Sequence, residues 1–148
     1  MTCSLNVYTD GGSRGNPGPG AIGVVIQSQA GKTIHSFSRA IGHTTNNVAE
    51  YTAVIEALKW LIANKDKIVN YKLSIINFYS DSQLMVNQLN GNWKIKDPEL
   101  RQKNIQVRSL EQLFKRPIRY QAIPRTKNKT ADSLVKKAYF FSAISLLA

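Results

Sequence analysis

The sequence predicts an α/β fold in which a mixed sheet carries packed helices. Three observations lead there. The first 37 residues contain dense or alternating apolar runs broken by turn signals. From Val48 the apolar period switches to helical spacing. After that, short β-rich runs and helical patterns take turns to the end of the chain. A meander followed by β-α crossovers implies parallel and antiparallel pairs in one sheet.

Leu5 and Val7 start a strand that reaches Thr9 and enters a glycine-rich bend at Asp10-Gly11-Gly12. Residues 21–27 form a second, dense apolar strand. Gln29-Ala30-Gly31-Lys32 is a turn, and residues 33–37 alternate as a third strand. Val48, Tyr51, Val54, Ile55, Leu58, Leu61 and Ile62 recur as one face of a helix, with Asn46 or Asn47 as its cap. Residues 73–79 read as the fourth strand and 84–89 as a short helix that Asn90-Gly91-Asn92 breaks. Pro98 can start the next helix, which carries Leu100, Ile105, Val107, Leu110, Leu113 and Phe114. Residues 118–123 form a fifth strand, and Asn128 precedes a last helix through Leu134, Val135, Ala138 and Phe141.

Composition narrows the class. The chain has 148 residues, a length that fits one domain spanning 1–148. One cysteine, Cys3, excludes an intramolecular disulfide and suits a reducing, cytoplasmic setting. The N-terminus lacks the pattern of a signal peptide. The apolar tail at 138–148 is shorter than the ~20 residues a membrane span takes, so no membrane partner is expected. The net charge is +11 and unevenly spread: residues 94–137 hold 13 basic and 4 acidic side chains. A positive half of this kind suits a polyanion, most simply a nucleic acid backbone.

The nine acidic residues are few enough to weigh singly. Asp10 ends the first strand, Glu50 opens the first long helix, Asp81 follows the fourth strand, and Asp132 lies in the first turn of the last helix. Each has a plain structural explanation. Asp-Gly is a turn dipeptide. Asn47 with Glu50, and Ser80 with Gln83, have capping-box spacing. Asp132 suits a helix dipole. Together they suggest more, because strand ends and helix starts can meet at one edge of a sheet. Clustered carboxylates repel unless cations sit between them. Hard divalent ions take oxygen ligands. Two of them ~3.5–4 Å apart can clamp a phosphodiester displacement, one activating water and one stabilising the leaving oxygen.

The residues around these carboxylates resemble one family. The stretch from Tyr8-Thr9-Asp10-Gly11-Gly12-Ser13 through Arg14-Gly15-Asn16-Pro17-Gly18-Pro19-Gly20-Ala21-Ile22-Gly23 is similar to the opening strand and loop of ribonuclease H type 1. Thr44-Thr45-Asn46-Asn47-Val48-Ala49-Glu50-Tyr51, Tyr79-Ser80-Asp81-Ser82-Gln83 and Asn128-Lys129-Thr130-Ala131-Asp132 resemble its next three motifs, in family order. The resemblance implies the ribonuclease H fold: a five-stranded mixed sheet in order 3-2-1-4-5 with helices on both faces. It implies that Asp10, Glu50, Asp81 and Asp132 hold two Mg²⁺ ions, with Mn²⁺ as a substitute. The implied reaction cuts the RNA strand of RNA–DNA hybrids and leaves 3′-hydroxyl and 5′-phosphate ends. In the cell the family role is removal of RNA primers and hybrids. Gly11, Gly12, Ser13, Asn16, Asn46 and Asn47 would line the minor groove, where the 2′-hydroxyl tells RNA from DNA. Gln83 would touch base edges, and Thr45 matches the pocket that grips the DNA strand.

The chain departs from many members in three places. The segment 90–116 is short, with Asn92-Trp93-Lys94-Ile95-Lys96-Asp97-Pro98 resembling the compact subgroup that lacks a basic protrusion. Affinity would then rest on Lys94, Lys96, Arg101 and Lys103. Trp93 is read as core, with stacking near a duplex as the other reading. The loop at 123–128 has no histidine, and Arg125 is the stand-in, with an electrostatic role since arginine keeps its proton. His43 stands where an arginine often lies and is either a phosphate contact or a surface residue. His35 is read as structural. Alternatives are a DNA-processing nuclease of the same superfold, a catalytically inactive hybrid- or dsRNA-binding module, and a piece of a reverse transcriptase. A free-standing monomer acting on hybrids is expected, with double-stranded RNA as a second candidate partner.

Overall fold

A computed structural model describes residues 3–68 and 73–147 of the chain. Five strands form one sheet in the order β3-β2-β1-β4-β5. They are β1 (Cys3–Ser13), β2 (Gly18–Ser28), β3 (Thr33–Thr44), β4 (Leu73–Ser80) and β5 (Ile118–Ala122). The β1-β2 and β2-β3 pairs are antiparallel, and β1-β4 and β4-β5 are parallel. The helices are α1 (Asn46–Ala63), α2 (Lys65–Ile68), α3 (Gln83–Leu89), α4 (Pro98–Phe114) and α5 (Lys129–Leu147), with a 3-10 turn at Arg125–Lys127 before the last. The mixed sheet and its strand order agree with the expectation.

Alternation along β2 explains why helices lie on both faces. Ile22, Val24 and Ile26 join Leu5, Val7 and the buried face of α1 in the main core. Ala21 faces the other way and packs with Val135 and Ala138 of α5. Period-two side-chain direction therefore gives β2 two buried faces, which is why its run reads as continuously apolar. On α4 the buried residues are Leu100, Val107 and Phe114, seven apart. Ile105 and Leu113, expected on the same face, are exposed. Trp93 is 47% exposed, so the core reading of this residue is corrected. It precedes the Pro98 helix start in a segment without regular structure, which leaves it about half exposed. His35 stacks on Trp60 with ring centroids 4.5 Å apart, in keeping with a structural role. Of the apolar tail, α5 reaches Leu147, while the side chains from 144 onward lie outside the described residues.

Three local readings change. The glycines after Asp10 are strand, not bend: Gly11 pairs with Ile22, Gly12 with Ala21 and Ser13 with Gly20. The cap of α1 is Thr45, whose Oγ1 accepts from the Val48 N–H at 3.3 Å; neither asparagine caps it. The cap of α3 is Ser82, which accepts from the Met85 N–H at 3.2 Å. The capping-box explanations of Asn47 with Glu50 and of Ser80 with Gln83 fall with those two shifts, because Asn47 lies two residues after the cap and Ser80 two residues before it. Glu50 and Ser80 are free for other work.

Candidate active site

The carboxylates meet because of strand register and two glycines. The parallel β1-β4 ladder pairs Tyr8 with Tyr79, so Asp10 within β1 and Asp81 just past β4, each two residues further on, come side by side. Gly11 lies against α1. A β-carbon there would collide with the Ala49 carbonyl oxygen and crowd the Glu50 nitrogen, so only glycine lets the first turns of α1 come this near. That approach sets Glu50 beside Asp10, and the Gly11 N–H donates to Glu50 Oε1. Asp10 pairs with Gly23 on β2, and a β-carbon at Gly23 would strike the Ala131 carbonyl oxygen of α5. The start of α5 is thereby pressed onto the sheet opposite Asp10, with Asp132 the next residue along. Asn128, 1% exposed, ties the same end down by donating from Nδ2 to the Thr9 carbonyl at 2.9 Å.

Asp10, Glu50 and Asp81 each offer a carboxylate oxygen, all within 4.8 Å of one another. Asp10 and Glu50 are buried. Burial pushes the Asp10 carboxyl up to about 7, and the charges of Asp81 and Asp132 add to the rise. Burial also drives Glu50 well above the usual carboxylate range, with Asp10 and then Asp81 raising it further. These groups cannot all be charged at neutral pH without a counter-charge. The donor set is oxygen only, which fits a hard divalent cation and excludes the usual structural zinc site.

Asp132 differs from the other three. It lines the same cleft, of about 400 Å³, but its carboxylate is outside the close trio and is met by Lys136 Nζ at 3.0 Å. Arg125 also reaches the cleft, with Nε 3.4 Å from Asp81 Oδ2. Of the predicted substrate contacts, Gly11, Gly12, Ser13, Asn46 and Asn47 line the cleft. Asn16, Thr45 and Gln83 do not. Asn16 stands behind the wall: its Oδ1 accepts from the Asn46 N–H at 3.0 Å, and Asn46 Oδ1 accepts from the Ser13 N–H at 2.8 Å. Thr45 is occupied as a cap, and Gln83 is exposed at the start of α3. His43 is exposed near the end of β3. Lys94 and Lys96 are exposed in the segment before α4, where Arg101 Nε donates to the Ile95 carbonyl at 2.6 Å.

The structure adds residues that sequence reasoning did not single out. Ser82, Val135, Lys136 and Tyr139 line the cleft as well. The Arg14 guanidinium lies 4.5 Å over the Tyr139 ring at its rim. Lys136 had a legible signal, four residues after Asp132 on one helix. Tyr139 had none, since its place depends on how α5 crosses the sheet.

Together the fold and this cleft define a class: a nuclease-type carboxylate site at the edge of a mixed α/β sheet. Comparison with known proteins makes the class specific. The family model described as RNase H matches residues 3–140. Ribonuclease HI of Halobacterium salinarum is 38% identical over 134 residues, 90% of this chain and 63% of that protein. A bifunctional protein of Mycobacterium tuberculosis is 39% identical over 143 residues, 96% of this chain. This chain spans only 37% of that protein's length. An RNase H1 isolated from compost superposes with a TM-score of 0.87 at 42% identity, covering 95% of this chain and 98% of that one. The same compost protein has been solved in complex with an RNA/DNA hybrid, with a TM-score of 0.86. The chain belongs to the RNase H family.

Proposed function

We propose that this chain is an endoribonuclease that hydrolyses the RNA strand of RNA–DNA hybrids and leaves 3′-hydroxyl and 5′-phosphate ends. The observation that carries the reading is the convergence of Asp10, Glu50 and Asp81 at the floor of the cleft. The hybrid-bound relative, 42% identical over nearly the whole chain, supports the choice of substrate. Asp10, Glu50 and Asp81, with Asp132 at the rim, would hold two Mg²⁺ ions, or Mn²⁺ in their place. When bound, such ions supply charge to the attacked phosphate and lower the pKa of water.

The chain's own residues would do the rest. Gly12, Ser13, Asn46 and Asn47 line the cleft where a minor groove would pass. The missing side chain at Gly12 leaves room for a sugar to approach the backbone, whereas the space beside Gly11 is taken by α1. Arg125, exposed and within reach of the cleft, would lend positive charge to the scissile phosphate or the product without moving a proton. Lys94 and Lys96 would follow the backbone of the duplex and make affinity salt-dependent. Residues 1–148 would act as one catalytic domain, as a monomer, in the reducing cytoplasm that the lone Cys3 suits.

The test is cleavage of end-labelled RNA–DNA, RNA–RNA and DNA–DNA duplexes with Mg²⁺, with Mn²⁺ and with chelator, beside Asp81→Asn. Metal-dependent cutting of the RNA strand of the hybrid is expected, lowered by about 10³-fold or more in the variant. Cutting of RNA–RNA in addition would widen the substrate class. Cutting of DNA–DNA alone, or hybrid binding without cleavage in either metal, would overturn the reading.

A further inference from the structure

Glu50 is the most deeply buried member of the carboxylate trio, and a buried carboxyl group keeps one rotamer only if hydrogen-bond partners hold it. Two donors do so here. The Gly11 N–H takes Oε1. The second oxygen, Oε2, accepts from Ser80 Oγ at 3.3 Å. Ser80 is the last residue of β4, 3% exposed, and sits just before Asp81. Its hydroxyl is itself oriented: Oγ accepts from the Ser82 N–H at 3.0 Å, which turns its own proton toward the carboxylate.

The backbone of Ser80 has a further tie. Its carbonyl accepts from the Ile123 N–H at 2.9 Å, at the start of the loop that carries Arg125. One buried serine thus touches the strand that delivers Asp81, the helix that delivers Glu50 and the loop that delivers Arg125. No capping duty competes for its side chain, because Ser82 caps α3.

We infer that Ser80 is a positioning residue for the divalent-cation site: its hydroxyl fixes the Glu50 carboxylate in the orientation that faces Asp10 and Asp81. This rests on the reading of the trio as a cation site. A serine that only filled space at a strand end would contribute to stability and leave cation affinity unchanged.

The experiment measures Mg²⁺ and Mn²⁺ binding to the substrate-free full chain by titration calorimetry. Wild type, Ser80→Ala, Ser80→Thr and Asp81→Asn are compared, with thermal melting of each as a check on folding. The hydroxyl donates to a charged group, so Ser80→Ala is expected to weaken cation binding by roughly tenfold while melting within a few degrees of wild type. Ser80→Thr keeps the hydroxyl and is expected to bind as wild type does. The hybrid-cleavage assay of Ser80→Ala is expected to need a correspondingly higher Mg²⁺ concentration for half-maximal rate. Wild-type affinity in Ser80→Ala would overturn the inference and leave the site reading standing. So would equal loss in both serine variants, since the hydroxyl would then not be the operative group. A wild type that binds no more cation than Asp81→Asn would overturn the site reading and the inference with it.

Discussion

Asp10 and Glu50 lie buried at the floor of the cleft, while Asp132 and Arg125 on its rim stand partly or largely in water. The floor is built from a strand end, a helix start and a glycine contact that admits no side chain, which holds the start of α1 against β1 and so Glu50 beside Asp10. The rim is built from one turn of α5 and a 3-10 turn, and its charges already have partners: Lys136 for Asp132, Asp81 for Arg125. The floor therefore takes up protons or an added cation to balance its charge, whereas the rim charges are already paired. Preorganised charge in a dry site is worth far more than the same charge in water.

The contrast is broken most directly by mutating one carboxylate from each place. Glu50→Gln is expected to abolish hybrid cleavage to within detection, whereas Asp132→Asn is expected to lose roughly 10–100-fold and to need more Mg²⁺. Steady-state cleavage across a Mg²⁺ series measures both. Equal losses would mean that the rim carboxylate belongs to the floor once substrate is bound. Arg125→Ala comes next, with turnover slowed by less than about tenfold and residual cleavage retained, since a solvent-exposed charge contributes little. Single-turnover and multiple-turnover rates, compared, show whether the loss falls on chemistry or on product release. No change in either would remove Arg125 from the site.

A smaller effect concerns stability against pH. The folded Asp10 carboxyl titrates at about 7, above its ordinary value of 3.8. Between those values the folded state holds more protons than the unfolded state, so in chelator stability falls as pH rises through that window. Asp10→Asn removes this dependence. Its melting temperature, measured against wild type from pH 4 to pH 8, is expected to gain steadily up to about pH 7 and then level off. A constant difference between the two proteins would mean that Asp10 is not desolvated.

Much of this was legible in the chain. The antiparallel start, the switch of period at Val48 and the later β-α alternation gave the sheet and its helices, because binary patterning is set by burial on each face. The four acidic positions stood out because acidic residues are scarce. What could not be read were the contacts made across the fold. Thr45 rather than Asn46 caps α1, a shift of one residue that frees Asn46 for Ser13 and Asn16. Gly11 read as a turn residue, yet it serves a helix contact nearly forty positions away. Trp93 read as core because large aromatics usually are, and here it is left about half exposed. Ser80 looked like part of a cap until Ser82 took that duty. Each of these depends on long-range packing, which local pattern does not encode.

The central claim is that the floor of the cleft is a cation site that the folded chain cannot balance alone. Its most direct measurement is the melting temperature at pH 8 in chelator and in excess Mg²⁺, for wild type and Glu50→Gln. Wild type is expected to rise by roughly 5 °C at a hundredfold excess over the dissociation constant, with little or no rise in the variant. Equal melting of wild type with and without Mg²⁺, or an equal rise in the variant, would contradict the account.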